Sequence, residues 1–170
     1  PPANLELEIT ESSIMGDPQR VITTLNNIRS LGVQFAIDDF GTGYSSFAYL
    51  TKLPVKSIKI DKSFVLSIDT DRENALIVRS IIDLCHNLGL KVIAEGVETA
   101  STRDLLKSYG CDEAQGYYYS RPQPADIMTR FLTEPPPGLK ANRCNRPSID
   151  SNLGSLLEDT SQTTPGLVES

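Results

Sequence analysis

Two adjacent carboxylates, Asp38 and Asp39, stand between an apolar run and a loop that contains two glycines and several hydroxyl groups. The apolar run, residues 32–37, predicts a buried strand. Charges at the end of such a strand are costly to bury unless they hold a cation. A glycine-rich loop can also close over an anionic ligand. The segment therefore predicts a metal-dependent site for a phosphate ester.

Further polar side chains follow other apolar runs. Glu8, Glu95 and Gln115 supply oxygen donors, and Lys59 supplies a cation. Oxygen donors without histidine or cysteine favour Mg²⁺ or Mn²⁺. Two adjacent aspartates can serve two ions about 3.5–4 Å apart, a recurring arrangement for phosphodiester hydrolysis. Lys59 is a candidate to orient or deprotonate the attacking water, or to stabilise charge on the phosphate.

These residues lie on predicted strands that alternate with predicted helices. Strands are predicted at residues 5–11, 32–38, 55–61, 90–98 and 111–117. Helices are predicted at residues 17–31, 71–88, 99–109 and 124–132, with Leu31 and Ile77 on their apolar faces. This alternation indicates a parallel sheet with crossover helices. Because each strand ends in polar residues, a TIM-type β/α barrel is favoured over a doubly wound sheet, which binds its ligand at one crevice.

The length of the patterned region bears on how much of a barrel is present. A complete barrel needs about 250 residues, whereas the pattern here ends near residue 132. We therefore expect the C-terminal portion of a TIM-type barrel, an α/β fold of about five βα units, with the amino-terminal strands missing. A compact five-stranded open sheet is the alternative. Residues 1–133 form the predicted domain, and the Pro/Ser/Thr-rich residues 134–170 are predicted to be disordered.

Composition narrows the functional classes. The net charge of -6 argues against a generic binder of DNA or of membrane surfaces, and no apolar run is long enough to span a bilayer. Three cysteines without CxxC spacing indicate free thiols in a reducing compartment, so a cytoplasmic location is expected. Cys85 is predicted to be in the core, and the single histidine, His86, to be exposed and inert. The tyrosines at 117–119 fit either base stacking or packing.

Five segments taken together resemble the EAL domain family, the bacterial cyclic di-GMP phosphodiesterases. They are Glu-Ile-Thr-Glu-Ser at 8–12, Asp-Asp-Phe-Gly-Thr-Gly-Tyr-Ser-Ser at 38–46, Lys-Ile-Asp at 59–61, Ala-Glu-Gly-Val-Glu at 94–98 and Gln-Gly-Tyr at 115–117. The resemblance implies a β/α barrel that uses two Mg²⁺ or Mn²⁺ ions to cut cyclic di-GMP to linear pGpG. It also implies a homodimer formed through the complete domain.

The resemblance assigns roles to individual positions. The implied metal ligands are Glu8, Asp38, Asp39 and Glu95. The implied catalytic residues are Lys59, which contacts the catalytic water, Glu95, which supports water activation, and Asp39. The implied substrate-side residues are Asp61, Gln115 and Arg121. The implied supporting residues that anchor loops are Glu11 and Glu98.

The sequence departs from the family pattern at its front. The namesake Glu-Ala-Leu segment and an asparagine ligand upstream of Glu8 are absent. We therefore expect that the parent protein is a phosphodiesterase and that this chain by itself is inactive or nearly so. Parent proteins of this family often carry membrane-spanning parts upstream. The competing interpretation is a non-catalytic EAL-like module that binds cyclic di-GMP or a protein partner. Without the resemblance, a barrel acting on another phosphate or sugar also fits.

Overall fold

The computed structural model describes residues 1–43 and 47–134. Three residues of the predicted loop (44–46), the predicted tail from 135 onward and Cys144 lie outside the described residues. The strands are β1 (Glu6–Thr10), β2 (Gln34–Phe40), β3 (Ser57–Ile60), β4 (Lys91–Ala94) and β5 (Glu113–Ala114). The helices are α1 (Glu11–Met15), α2 (Pro18–Arg29), α3 (Phe47–Leu50), α4 (Lys62–Val65), α5 (Arg72–Asn87), α6 (Ala100–Ser108) and α7 (Ala125–Thr133).

All five strands pair in parallel, in the order β1-β2-β3-β4-β5. Each crossover therefore moves to the next position in one direction. A doubly wound sheet would reverse its strand order at some point, whereas a β/α barrel does not. The strictly sequential order confirms the parallel βα arrangement and places the carboxyl ends of all five strands along one edge.

Three of the four longer helices, α2, α5 and α6, begin with a side-chain cap. Asp17 accepts a hydrogen bond from the Arg20 backbone N–H at 3.1 Å, and Thr99 accepts one from the Thr102 N–H at 3.0 Å. Pro18 occupies the first helical position of α2, where its missing N–H costs nothing. The element boundaries therefore follow local capping chemistry, which the sequence displays directly.

The core lies between one face of the sheet and the helices that cover it. Phe35 and Ile58 on the strands are buried, as are Val78, Ile82 and Cys85 on α5. Spacings of four and three residues place these three side chains on one face of the helix. The core prediction for Cys85 is confirmed, and burial raises the pKa of its thiol to about 12.

Two of the predicted core positions are wrong. Ile77 is 40% exposed and Leu31 is 68% exposed. On α5 the adjacent Val78 faces the sheet instead, because two apolar neighbours fit the helical period almost equally well. Leu31 lies beyond the last residue of α2, so the helical period no longer determines where its side chain points.

The prediction that His86 is exposed is also wrong. Its side chain is only 25% exposed, and Nε2 lies 3.0 Å from Oδ2 of Asp112. The same carboxylate oxygen accepts a hydrogen bond from the Val92 backbone N–H at 2.9 Å. His86 therefore connects α5 to the residues beside β4 and β5. Within the described part of the chain, no helix has the length and apolar content needed to cross a membrane.

Candidate active site

Three carboxylates from three different strands or strand ends converge on the ammonium of Lys59. Nζ lies 2.7 Å from Glu8 Oε1, 3.1 Å from Asp38 Oδ1 and 2.6 Å from Glu95 Oε1. The Lys59 side chain is only 7% exposed, whereas that of Glu8 is 48% exposed. We call these four residues the carboxylate–lysine cluster. It brings together four of the residues that the sequence singled out.

Strand register explains how these side chains meet. Glu8 on β1 pairs with Ala36 on β2, which in turn pairs with Ser57 on β3. Lys59 lies two residues beyond Ser57 and so points to the same face. Because Ala36 carries only a methyl group, the longer side chains of Glu8 and Lys59 can meet across β2.

A β-bulge places Asp38 and Asp39 together opposite Lys59. Ile37 pairs with Ile58 and Phe40 pairs with Ile60, so two residues of β2 face one residue of β3. Asp39 has φ of +53°, the only positive φ among the described non-glycine residues. The left-handed conformation is costly for most side chains and is tolerated best by glycine, asparagine and aspartate. Among the described residues, only Asp38 of this pair contacts Lys59.

Substitution of Asp39 tests whether its left-handed backbone conformation strains the folded state. Asp39→Gly removes the side chain that strains the left-handed backbone, so the free energy of unfolding should stay unchanged or rise by up to about 1 kcal/mol. Asp39→Ala retains the strain and loses the polar group, so unfolding should become easier by about 1 kcal/mol. Urea denaturation of both variants compares the two directly. Equal stability of the glycine and alanine variants would contradict the proposed backbone strain.

The electrostatics of the cluster determine the charge state of Lys59. Burial by itself lowers the pKa of Lys59, but the carboxylates of Glu8, Glu95 and Asp38 close to Nζ raise it above its usual value. Lys59 is therefore an ammonium that donates hydrogen bonds in this arrangement. Of the roles suggested by the sequence, orienting the water or stabilising phosphate charge fits this state, and deprotonating the water does not.

A cavity of about 520 Å³ adjoins the cluster on the side of Glu95. Oε1 of Glu95 accepts a hydrogen bond from Nε2 of Gln115 at 2.6 Å, so Glu95 is held by both Lys59 and Gln115. Gln115 and Arg121, two of the predicted substrate-side residues, line this cavity. The cavity is within the range of ordinary ligand pockets, about 300–1,000 Å³.

The sequence left base stacking and packing open for the three tyrosines at 117–119, and the structure assigns them to different roles. Tyr117 is exposed and lines the cavity, and the Arg121 guanidinium lies 4.6 Å from the centre of its ring. Tyr118 and Tyr119 are partly buried against the core and contact each other edge to face. Only Tyr117 is thus available to stack on a ligand.

Asp61 serves as a helix cap in the structure. Its Oδ1 accepts a hydrogen bond from the Ser63 backbone N–H at 2.9 Å, at the start of α4. It does not line the cavity described above, so its predicted substrate contact has no support here. Burial tends to raise the pKa of Asp61, but the hydrogen bonds from Ser63 outweigh it and lower the pKa below its usual value.

The lowered pKa gives Asp61 a defined pH dependence. Since the folded-state pKa is below the unfolded value, the stabilisation is present above about pH 4 and is lost as the pH falls through the folded pKa. Asp61→Ala should therefore lower the free energy of unfolding by about 1 kcal/mol at pH 7. The difference should shrink below pH 4 in urea denaturation. A difference that persists unchanged at low pH would contradict this account.

The two predicted loop-anchoring glutamates have different surroundings. Glu11 is buried, and its Oε2 accepts hydrogen bonds from the backbone N–H groups of Gly41 (3.0 Å) and Gly43 (3.1 Å). These two contacts support an anchoring role for Glu11. Glu98 is exposed at the rim of the cavity and makes no hydrogen bond to a loop amide in the described segments. Its anchoring role therefore stays a prediction without structural support.

Cavity residues that the sequence analysis did not identify include Lys62, Leu66 and Met128. Lys62 follows the Lys-Ile-Asp segment directly, and this position just past the carboxyl end of β3 was a usable signal. Leu66 is the C-cap of α4, and Met128 lies within α7. Nothing in their sequence neighbourhood distinguishes them from core residues.

The carboxylate oxygens of the cluster are the donors that this site offers to a metal ion. As the side chains are placed in residues 1–43 and 47–134, no three of the His, Cys, Asp and Glu side chains could hold one metal ion. The Lys59 ammonium lies among the carboxylates instead. Asp38 Oδ1 is buried and, although 3.1 Å from Nζ, lacks hydrogen-bond geometry. The donor chemistry agrees with a hard divalent cation, because carboxylate oxygens are the ligands that such ions prefer, and one of these oxygens is unsatisfied.

Comparison with known proteins places this fold and site in a family. The family model described as EAL domain matches residues 1–122. The chain therefore belongs to the EAL domain family, and its five βα units are part of the TIM-type barrel of these domains. This confirms the fold class expected from the sequence.

Individual members show how close the similarity is. The chain is 44% identical over 128 residues to the cyclic di-GMP phosphodiesterase NbdA of Pseudomonas aeruginosa. The aligned region covers 75% of this chain and 16% of NbdA. The chain also matches the cyclic di-GMP complex of the MucR phosphodiesterase of the same organism with 42% identity and a TM-score of 0.72, covering 75% of this chain and 51% of that structure. The chain thus spans about a sixth of NbdA and half of the MucR structure.

A second similar structure contains a metal ion. It is BlrP1 of Klebsiella pneumoniae, described as a manganese and cyclic di-GMP complex. The match has 36% identity and a TM-score of 0.66, and it covers 71% of this chain and 31% of that structure. The proteins that this chain resembles therefore include two described as phosphodiesterases, and one whose structure holds manganese together with cyclic di-GMP.

Proposed function

We propose that the domain to which this chain belongs hydrolyses cyclic di-GMP to linear pGpG in a reaction that depends on Mg²⁺ or Mn²⁺. The observation that carries the proposal is the carboxylate–lysine cluster. Glu8, Asp38 and Glu95 reach one cationic centre from three different strands or strand ends, beside a cavity of about 520 Å³. Barrel enzymes place their chemistry at this edge.

The proposed metal ligands are Glu8, Asp38, Asp39 and Glu95. When bound, two divalent ions would neutralise phosphate charge and favour ionisation of the attacking water. The bulge is the feature of the chain that sets Asp38 and Asp39 together opposite one residue of β3. The unsatisfied Oδ1 of Asp38 supports its assignment as a ligand.

The proposed reaction consumes one water molecule. The water oxygen forms a bond to phosphorus, the bond from phosphorus to the ribose 3′ oxygen breaks, and a proton ends on that 3′ oxygen. The Lys59 ammonium donates hydrogen bonds and so orients the water or stabilises the charge on the phosphoryl oxygens. Gln115 fixes Glu95 through the 2.6 Å hydrogen bond, so that the carboxylate is held in place for the water.

The substrate assignment depends on the cavity and on the relatives. Arg121, Gln115 and the exposed ring of Tyr117 line the cavity, which offers hydrogen-bond donors and one aromatic face. Aromatic faces bind nucleobases by stacking, typically for about 1–3 kcal/mol per base. The match to the MucR phosphodiesterase in complex with cyclic di-GMP supports this nucleotide over other phosphate esters.

We further propose that the domain acts as a cytoplasmic homodimer. In support, Leu76 and Ile77 on α5 expose apolar side chains to solvent, and such surfaces often mark contacts between chains. Light scattering of the full-length protein should give twice the mass of one chain. The mass of a single chain would contradict the dimer.

The test of the proposed function is a turnover assay with the full-length protein. Cyclic di-GMP is incubated with protein and Mn²⁺, and pGpG is quantified by chromatography, with EDTA as the control. Formation of pGpG only in the presence of metal supports the proposal. Tight binding of the nucleotide without any pGpG would overturn it in favour of the non-catalytic module.

A further inference from the structure

We infer that Phe64 is a positioning residue for the two adjacent aspartates, because its ring holds the backbone that follows β2 and so fixes the position of Asp38 and Asp39. The inference rests on the proposed function for the metal ions that these carboxylates would bind. Phe64 does not line the cavity, and neither the sequence nor the family resemblance assigned it to the site. Its evidence lies in the backbone of residues 39–43 and in the groups that contact it.

The backbone that follows the bulge has a conformation that needs support. Asp39 has φ of +53°, and Gly41 has φ of +101°. A left-handed conformation is costly at a residue with a side chain, and it persists only where the surroundings hold it in place. Thr42 closes the turn from within, because its backbone N–H and its hydroxyl donate hydrogen bonds to the Asp39 carbonyl at 3.3 and 2.8 Å. The position of this turn relative to the strands then depends on contacts with other elements.

Helices α1 and α4 both contribute side chains that hold this turn. Glu11 of α1 accepts hydrogen bonds from the backbone N–H groups of Gly41 and Gly43. Phe64 of α4 packs directly against Gly41, since a Cβ built on that glycine would lie 2.9 Å from Cε2 of the ring and 3.4 Å from Cζ. The turn is therefore bonded to one helix and packed against the ring of the other.

The helix that carries Phe64 is itself attached to the end of β2. The Asp61 backbone N–H donates a hydrogen bond to the Phe40 carbonyl at 3.4 Å, and the Phe64 N–H donates one to the Asp61 carbonyl at 3.2 Å. Phe64 is also partly buried against the core. Its ring is thus carried on backbone that is bonded to Phe40, the residue between Asp39 and Gly41.

Loss of the ring should loosen the aspartates without touching the substrate. Phe64→Leu removes part of the packing against Gly41, so the strained turn gains freedom to relax. Groups that hold metal ligands in place from outside typically contribute about 10–100-fold to metal affinity or activity. Because Phe64 does not line the cavity, the affinity for the nucleotide should not depend on it. The expected signature is a change in metal binding and in kcat, with KM preserved.

The test compares Phe64→Leu with Tyr109→Leu in the full-length protein. Tyr109 is the matched control, because its ring is also partly buried against the core but contacts Arg79 and does not line the cavity. Kd for Mn²⁺ is measured by calorimetry without nucleotide, and KM and kcat for cyclic di-GMP are measured with saturating Mn²⁺. Hydrogen exchange of residues 39–43 is followed in EDTA by mass spectrometry, and urea denaturation gives the stability of each variant.

We expect Phe64→Leu to raise Kd for Mn²⁺ and to lower kcat by about tenfold each, with KM within about twofold of the wild-type value. Residues 39–43 should exchange faster than in the wild type even without metal. Tyr109→Leu should change none of these, although both variants lose packed aromatic surface and should unfold more easily. In an Asp39→Asn background, Phe64→Leu should lower kcat little further, since both changes act through the same carboxylate.

A variant that keeps more of the packing guards against misfolding. If Phe64→Leu does not fold, Phe64→Met takes its place, because the flexible methionine side chain fills irregular gaps. The same changes in Kd, kcat and hydrogen exchange are then expected, and the same control applies.

The outcomes separate this inference from the proposed function. Mn²⁺ binding without turnover would overturn the proposed function alone, and Kd and hydrogen exchange would still decide the role of Phe64. If Phe64→Leu and Tyr109→Leu change Kd and hydrogen exchange equally, the effect is one of general stability and the inference is wrong. A rise in KM with kcat unchanged would assign Phe64 to substrate binding and overturn the positioning role. A wild-type protein that binds no Mn²⁺ would overturn both.

Discussion

Lys59→Met should remove nearly all turnover of cyclic di-GMP and should also destabilise the protein in the absence of metal. The loss of a donor that stabilises developing phosphate charge should lower kcat by about 10²–10³-fold. The variant also leaves Glu8, Asp38 and Glu95 facing one another without their counter-ion. Removing one partner of a fully buried pair costs about 3–5 kcal/mol. We expect about 2 kcal/mol here, because Glu8 is half-exposed and partly screened by water.

Metal should reverse the stability loss of this variant but not its activity loss. With Lys59 removed, a divalent cation competes with no ammonium for the three carboxylates. Mn²⁺ at about 100 times its Kd would stabilise the folded state by about 2.7 kcal/mol. Urea denaturation in EDTA and in Mn²⁺, for the wild type, Lys59→Met and the exposed control Lys52→Met, measures this difference. Equal stabilisation of all three proteins by Mn²⁺ would contradict the competition between Lys59 and the metal, and no stabilisation of any of them would show that the carboxylates are not a metal site.

Asp38→Asn should reduce kcat by about 10²–10³-fold, because losing one carboxylate forfeits several kcal/mol of metal-assisted charge stabilisation. The amide has the same shape as the carboxylate, so the fold should be retained. It cannot replace the negative charge beside Lys59, which lies 3.1 Å away. The free energy of unfolding should therefore change by less than that of Lys59→Met.

Asp69→Asn is the control for Asp38→Asn, since Asp69 is an exposed aspartate that lies outside the cluster and does not line the cavity. Initial rates with Mn²⁺ and far-ultraviolet circular dichroism are measured for both variants. Unchanged kcat in Asp38→Asn would exclude Asp38 from the reaction. A lower kcat accompanied by lost helical signal would indicate misfolding, in which case Asp38→Glu replaces it as the test.

The convergence of the cluster was predictable from the sequence for a physical reason. Parallel strands that are joined by crossover helices bring all their carboxyl ends to one edge. Once the βα alternation was recognised, the polar residues Glu8, Asp38, Lys59 and Glu95 were therefore expected to be neighbours. The helix caps were equally predictable from the sequence, because the carboxylate of Asp17 accepts a hydrogen bond from a backbone N–H only three residues away.

Other features depend on contacts that local sequence does not encode. The bulge that gives Asp39 its positive φ arises from the pairing of β2 with β3, and either aspartate alone looks equally suited to face Lys59. His86 meets Asp112 across 26 residues of chain, so its burial could not be inferred from its own helix. For Asp61 the local sequence was the better guide. The family resemblance assigns this residue to the substrate, whereas in the structure its carboxylate accepts a hydrogen bond from Ser63 and caps α4.

The most direct test of the central claim is a crystal structure of the full-length protein grown with Mn²⁺ and cyclic di-GMP, with anomalous scattering recorded at the manganese edge. We predict anomalous peaks bound by oxygens of Glu8, Asp38, Asp39 and Glu95, with a phosphate of the nucleotide beside them and Lys59 within hydrogen-bond distance of that phosphate or of a water. Nucleotide bound elsewhere on the protein, or a cluster in which Lys59 still pairs with the carboxylates and no manganese is present, would contradict the account.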